Sequence, residues 1–193
     1  MVNLPAAGWF SGDLHVHMNY GGHYRNTPAR LRFQAEAEAL RVVENLVVNK
    51  EQRVPDIASF AGELDPVSTA ATLIKHDQEY HTSYWGHSGL LGLDRYFVMP
   101  AYAGYVNTAA ASLFPHNAQV FDLAHQQNGL TGYVHPFESV PDFDKGETTT
   151  NGFPIEAALG RIDYLEVVGF SDHLATAEVW YRLLNTGVRL PAG

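Results

Sequence analysis

Short apolar runs with strand character alternate with helical segments along this 193-residue chain, and this alternation limits the folds it can adopt. Strands are predicted at 13–18, 46–49, 78–82, 87–93, 130–136, 163–169 and 188–191. Helices are predicted from 27–28 to about 43, at 117–127 and at 174–186, with a surface loop at 138–153. Such alternation is typical of parallel strands joined by crossovers, so we expect an α/β sheet or barrel. The run 87–93 is either the next strand or the hairpin partner of 78–82.

The composition suits one globular domain over residues 1–193, since 46% of the residues are hydrophobic and 17% are charged. The formal net charge is -9 and the basic residues are scattered, which argues against nucleic-acid binding. A small-molecule partner is the expected one. The chain has no cysteine, which excludes disulfides, thiolate nucleophiles and Cys-rich zinc sites. Any metal must therefore be held by histidine, carboxylate and water.

The N-terminal residues lack the basic and apolar regions of a signal peptide. No apolar run approaches the roughly 18 residues needed to span a bilayer. We expect a soluble chain with no membrane span, and the sequence leaves its compartment and oligomeric state open.

Two histidines, His15 and His17, lie two positions apart on the first predicted strand. Side chains of a strand alternate between its faces, so both imidazoles project from one face while Leu14 and Val16 point into a core. A rigid strand can present two imidazoles to one ion in this way. Asp13 shares their face, where it either orients an imidazole or is an exposed residue at the start of the strand.

Three further polar residues, Glu79, His87 and His135, lie at or just after predicted strand ends. In α/β folds, sites form at the carboxyl ends of the strands. A carboxylate in an apolar-flanked strand is costly unless it is paired or metal-bound, so Glu79 is a candidate bridge between two ions. His81, two positions after Glu79, is a weaker candidate on the same face. We therefore predict that Glu79, His87 and His135 share a metal site with His15 and His17.

Loop residues add candidates of a different kind. His23 lies on a glycine-rich loop that can fold back towards His15. Lys50, which follows a strand, and Arg25 are candidates for holding an anionic part of a substrate. Asp172-His173 is expected to cap the following helix. Neither the G-x-S-x-G motif of serine hydrolases nor a P-loop or dinucleotide fingerprint occurs.

These motifs together resemble the PHP (polymerase and histidinol phosphatase) family, and most closely its CehA/McbA-type metallohydrolase branch. The matching segments cover nearly the whole chain: Gly12-Asp13-Leu14-His15-Val16-His17, Glu79 with Trp85-Gly86-His87, Tyr133-Val134-His135-Pro136 and Asp163-Tyr164-Leu165-Glu166-Val167. The resemblance implies a distorted TIM-like (β/α)7 barrel with two or three divalent ions (Zn, Mn or Fe) at the strand ends. It implies metal-assisted hydrolysis of phosphoesters, or of esters and carbamates in this branch. The residues that match the family's metal ligands are His15, His17, Glu79, His87 and His135, with His23 as a further histidine.

Two departures from the family pattern qualify the resemblance. Asn49-Lys50 stands where many members have an Asp-His pair, so Lys50 would contact substrate or join the site in another form. The family's last ligand follows a late strand, whereas this chain ends at Leu190-Pro191-Ala192-Gly193. Complete barrels of this type usually have about 250 residues. We therefore expect a barrel that is incomplete at its C-terminus, in a fragment of a longer protein.

The first functional hypothesis is a metal-dependent hydrolase in which Glu79 bridges the ions and Lys50 assists catalysis or substrate binding. The alternative is a binding or sensing module built on a catalytically degenerate barrel. A structural metal domain is a third reading, which the absence of Cys ligands disfavours.

Overall fold

The computed structural model describes residues 4–19, 26–48, 54–82, 84–98, 114–142, 144–145 and 150–193. In these residues one mixed sheet runs in the order β1 (Gly12–Val16), β2 (Val42–Val48), β3 (Leu73–Tyr80), β4 (Ser88–Leu91), β5 (Leu130–Tyr133) and β6 (Tyr164–Leu165). Within the same described ranges, four α-helices accompany it: α1 (Pro28–Ala37), α2 (Asn117–His125), α3 (Phe153–Ala158) and α4 (His173–Asn185). Short 3₁₀ helices cover Pro5–Ala7 and Val54–Ser59. The sheet curls into a half-barrel, which confirms the α/β class and agrees with a partial barrel.

Strand direction differs from the all-parallel expectation at one strand. β1, β2 and β3 are parallel, and β5 is parallel to β6, but β4 is antiparallel to both of its neighbours. The link from β3 to β4 is too short for a crossover, which needs a dozen or more residues. The hairpin alternative for 87–93 is therefore the one that the structure adopts.

The boundary between α1 and β2 lies earlier than predicted. The helix begins as expected, with Thr27 as N-cap accepting from the Arg30 backbone N–H, but it ends at Ala37 instead of near Val43. Ala39 has a positive φ of 57°, and this left-handed residue stops the helix. β2 then begins at Val42, because the valine-rich run prefers an extended backbone.

β3 also begins earlier than predicted, at Leu73 instead of residue 78. Its central residues are polar yet buried, so they lack the apolar pattern that marks a strand. Each has a partner: Asp77 accepts from the backbone N–H groups of Gly92 and Leu93, and Gln78 exchanges hydrogen bonds with the backbone of Val98. Polar groups can be buried in a strand when their hydrogen bonds are complete in this way.

The helices cover the sheet with two apolar clusters. One packs α2, α3 and α4 around buried side chains that include Tyr80, Phe121 and Leu165. The other packs α1 on the first strands through Leu31 and Ile74. α3 was not predicted, because six residues are too few to show a helical period.

Near the C-terminus, the predicted cap of the last helix is present, whereas the last strand differs from its prediction. Asp172 caps α4 by accepting from the backbone N–H groups of Leu174 and Ala175. The last strand predicted at 188–191 does not form there; Ala192, directly after that range, makes a single parallel bridge with Leu165. Among the described residues, no helix is both long enough and apolar enough to cross a membrane.

Two glycines opposite one another, Gly89 on β4 and Gly132 on β5, make room for the ring of Tyr164 inside the half-barrel. A Cβ at Gly132 would lie 2.5 Å from Tyr164 Cε1, and a Cβ at Gly89 would meet the tyrosine hydroxyl. The ring therefore fills the interior only because these positions carry no side chain.

We expect Gly132→Ala to lower the free energy of unfolding by about 1–3 kcal/mol, the usual cost of overpacking. Urea unfolding measures the change. Gly12→Ala is the matched strand control, since its Cβ would meet only ordinary contacts at 3.4 Å and beyond. Tyr164→Leu in the Gly132→Ala background should recover part of the loss, and strictly additive effects would contradict the packing argument.

Candidate metal centre

The candidate site lies where several strand ends meet at one edge of the sheet. His15 is on β1 and His17 follows it directly, Glu79 is near the end of β3, and His135 follows β5. Because β4 runs in the opposite direction, its first residues lie at this same edge, which places His87 there too. The antiparallel direction of β4 therefore adds His87 to the residues that the ends of the parallel strands bring to this edge.

The carboxylate of Glu79 is the centre of the cluster. Its side chain is 1% exposed. Five imidazole nitrogens surround its two oxygens: Oε2 lies 3.0 Å from His17 Nε2 and 3.5 Å from His15 Nε2, and Oε1 lies 2.8 Å from His81 Nε2, 2.9 Å from His135 Nε2 and 3.3 Å from His87 Nδ1. A charge so deeply buried must be compensated by protons or cations.

Hydrogen bonds at the outer nitrogens orient two of the rings. His17 Nδ1 lies 2.7 Å from the carbonyl oxygen of Leu46, which only accepts, so Nδ1 carries a proton and Nε2 faces Glu79. His15 Nδ1 donates in the same way to Glu166 Oε1, at 2.9 Å. A histidine that donates one N–H to a carboxylate or carbonyl and offers its other nitrogen inward is typical of metal ligands.

Glu166 also holds the backbone of a third histidine. Its other oxygen accepts the backbone N–H of His135. His135 has a φ of 33°, a left-handed conformation that few non-glycine residues adopt and that tends to occur at functional sites. One carboxylate directly after β6 thus contacts the ring of His15 on β1 and the backbone of His135 after β5.

The inward-facing atoms fit a divalent ion. His15 Nε2 and His17 Nε2 are 3.1 Å apart, and with Glu79 Oε2 they form three acceptors that repel one another unless a proton or cation lies among them. Tetrahedral coordination with bonds of 2.0–2.1 Å separates ligand atoms by roughly 3.4 Å, close to the observed distances.

The donor atoms form two groups that share one residue. His15, Glu79 and His135 form the first and Glu79, His81 and His87 the second, with all donor atoms of a group within 4.8 Å of one another. These clusters can hold metal ions, and the shared position of Glu79 is the arrangement expected of a bridging carboxylate.

The pKa values of two groups in the cluster are strongly shifted in the metal-free protein. Burial opposes protonation of His15, but its hydrogen bonds to Glu166 and Glu79 outweigh burial and raise the pKa of His15 to about 10. Burial also opposes ionisation of Glu79, yet hydrogen bonds from His135, His15 and His17 hold the pKa of its carboxyl well below its usual value. A proton on His15 therefore occupies the position that a metal ion would take.

The structure brings together five of the predicted site residues: His15, His17, Glu79, His87 and His135. His23, Arg25 and Lys50 lie outside the described residues, so their predicted roles stay predictions. Asp13 does not orient an imidazole, because its Oδ1 accepts the backbone N–H of His15 instead.

Sequence reasoning did not assign two residues that the structure places in the site. Glu166 carries no local signal of a role in the site, because its contact with His15 depends on the curl of the sheet towards β1. His81 was named as a weaker candidate, yet its Nε2 lies as close to Glu79 as that of any other histidine here. Its spacing of two from Glu79 was the available signal.

A cavity of about 690 Å³ opens onto the centre. Besides the histidines and Glu79, it is lined by the carboxylates of Asp13 and Glu166 and by Val168, Gly169 and Phe170. Val168 and Phe170 are 77% and 94% exposed. One wall of the cavity is thus apolar and accessible to a bound molecule.

Comparison with known proteins adds no relative: no protein-family model, curated protein or solved structure matches the chain.

We expect the wild-type protein to bind divalent ions, and His17→Ala and Glu79→Ala to lose them, because Glu79 belongs to both groups and His17 faces it directly. Metal analysis after dialysis against zinc or manganese measures the content. His125→Ala is the matched control, since His125 pairs with Asp163 away from the cavity and its loss should leave the content unchanged. Full metal content in both site variants would refute the assignment.

We expect the metal-free protein to lose stability as the pH rises from about 6.5, the ordinary pKa of histidine, to about 10. Below this window His15 is protonated in both the folded and the unfolded states, so its ion pairs stabilise the fold fully. Within the window only the folded state binds the proton, so this stabilisation falls steadily as the pH rises. It is lost once His15 of the folded state gives up its proton. Urea unfolding in chelator at several pH values measures the slope. His15→Gln should flatten it, and a wild-type stability that rises over this window would contradict the argument.

Proposed function

We propose that this chain is a metal-dependent hydrolase domain of the PHP type. The observation that carries the proposal is the buried Glu79 carboxylate shared by two groups of imidazole donors. A structural metal site is normally closed and often rich in Cys. Here the donors instead lie at the floor of an open cavity, where a substrate can reach them.

The residues that would hold two ions are those of the two groups. His15, Glu79 and His135 would hold one, His81, Glu79 and His87 the other, and His17 faces the first. The chemistry that bound divalent ions supply is a nucleophilic water near neutral pH and a polarised scissile bond.

The protein's own residues would prepare the centre for that chemistry. Leu46 O and Glu166 fix the rings of His17 and His15 so that their Nε2 atoms face inward. Glu166 also fixes the backbone at His135. Rigidly held ligands need little rearrangement when the reaction occurs.

The substrate we propose is a small molecule with an apolar group beside a phosphoester, ester or carbamate bond. Val168 and Phe170 support this, since both line the cavity while most of their surface is available for contact. Lys50 and Arg25 are proposed to hold an anionic part of such a substrate.

We expect the zinc- or manganese-loaded protein to hydrolyse at least one member of a panel of naphthyl esters, naphthyl carbamates and p-nitrophenyl phosphate. Phe170→Ala should raise KM for naphthyl substrates about 5-fold, because loss of an aromatic contact costs about 1 kcal/mol. Leu159→Ala is the control: its side chain is also exposed but lies outside the cavity lining.

The outcome separates the proposal from its alternative. Metal binding without turnover of any member of the panel would favour the binding or sensing module. Equal effects of Phe170→Ala and Leu159→Ala would refute the apolar wall as a substrate contact.

A further inference from the structure

The backbone that follows His17 is held by a buried side chain of β2. The Met18 N–H donates to Asn45 Oδ1 at 2.8 Å. The adjacent β2 residue, Leu46, accepts from the His17 ring itself. β2 therefore contacts both the imidazole of this ligand and the peptide group directly after it.

Asn45 is itself held by two further buried residues. Its Nδ2 lies 2.9 Å from His76 Nδ1 on the neighbouring strand, and His76 Nε2 lies 2.8 Å from Asp65 Oδ2. The other oxygen of Asp65 accepts the backbone N–H of Val67 at 2.8 Å. Asn45, His76 and Asp65 are 0%, 2% and 7% exposed, and together they form what we call the Asn45 relay.

The direction of every hydrogen bond in the relay follows from its first member. Met18 N–H can only donate, so it takes the amide oxygen of Asn45, and the Asn45 NH₂ must then donate to His76 Nδ1. His76 Nδ1 is therefore the unprotonated nitrogen, and the Nε2–H of its ring donates to Asp65. No member can rotate to a second arrangement without leaving a buried polar group unpaired, which costs about 1–3 kcal/mol.

We propose that the Asn45 relay is a positioning device that sets the orientation of His17 and thereby the metal affinity of the centre. None of its three residues faces the cavity; the relay acts only through the backbone next to the ligand. This inference rests on the proposed metal function, which it deepens by assigning residues on the opposite face of the sheet to the same site.

Loss of the relay should weaken the centre without abolishing it. Asn19 Nδ2 donates to Asp56 Oδ1 at 2.7 Å, so the segment after His17 keeps a second attachment. Residues that orient metal ligands typically change affinity by 10–100-fold, and we expect Asn45→Ala to weaken zinc binding about 10-fold.

The experiment compares four variants with the wild-type protein. Asn45→Ala removes the acceptor for Met18 N–H, Asn45→Asp keeps it, and Asp65→Ala releases the far end of the relay. Gln127→Ala is the matched control, because Gln127 is an equally buried amide that bonds the backbone of Arg95 and Tyr96 away from the centre. Three readouts apply: zinc affinity by competition with a chromophoric chelator, the visible spectrum of the cobalt form, and amide hydrogen exchange at Met18 in metal-free protein.

We expect Asn45→Ala to weaken zinc binding, alter the cobalt spectrum and lose protection at Met18. Asn45→Asp should restore protection at Met18 and part of the zinc affinity, since it keeps the acceptor for Met18 N–H but lacks the NH₂ that donates to His76. Asp65→Ala, which tests the relay if Asn45→Ala fails to fold, should show a smaller loss. Wild-type affinity in Asn45→Ala, or an equal loss in Gln127→Ala, would overturn the relay. A wild-type protein that binds no zinc would instead contradict the proposed function, and unchanged Met18 protection in Asn45→Ala would then overturn the relay independently.

Discussion

The site is organised around one buried carboxylate, whose negative charge the surrounding residues must compensate. Glu79 is 1% exposed, and an isolated charge at such a position is too costly to persist. Imidazoles from four separate segments supply the compensation. Because Nδ1 protons on His15 and His17 are already committed outward, the inward side must hold either additional protons or a cation. The same geometry thus suits both a protonated form and the proposed metal-bound form, and the two would compete.

The curl of the sheet makes this convergence feasible. β1 and β6 lie at opposite ends of the strand order, yet His15 and Glu166 meet at 2.9 Å. The antiparallel β4 brings His87 to the edge where the parallel strands end. An all-parallel sheet would have placed the beginning of that strand at the other edge.

Polar residues are used on both faces of β3, which is unusual for a central strand. Glu79 faces the centre, while His76 lies on the other face and bonds to Asn45 and Asp65. A fully satisfied buried network allows fewer alternative arrangements than an apolar core, at some cost in stability. Complete hydrogen bonding thus allows a strand with little apolar content to lie in the middle of the sheet. The same network reaches the backbone next to His17 through Asn45.

The amino-acid sequence by itself determined the α/β class and most of the candidate ligands. The spacing of His15 and His17 and the strand-end positions of Glu79, His87 and His135 are local properties, readable from periodicity and from turn residues. The start of β3 was missed because its buried residues are polar, and the end of α1 because the left-handed residue there is an alanine, which carries no turn signal.

Only the tertiary structure decided the rest, since it depends on which strands are neighbours and how far the sheet curls. Glu166 and His15 are 151 residues apart in the chain, and no local pattern predicts that pair. The Asn45 relay likewise exists only because β2 lies between β1 and β3 in register. The sequence determines which side chains are available for a metal centre; the order and direction of the strands determine which of them meet and what holds them there.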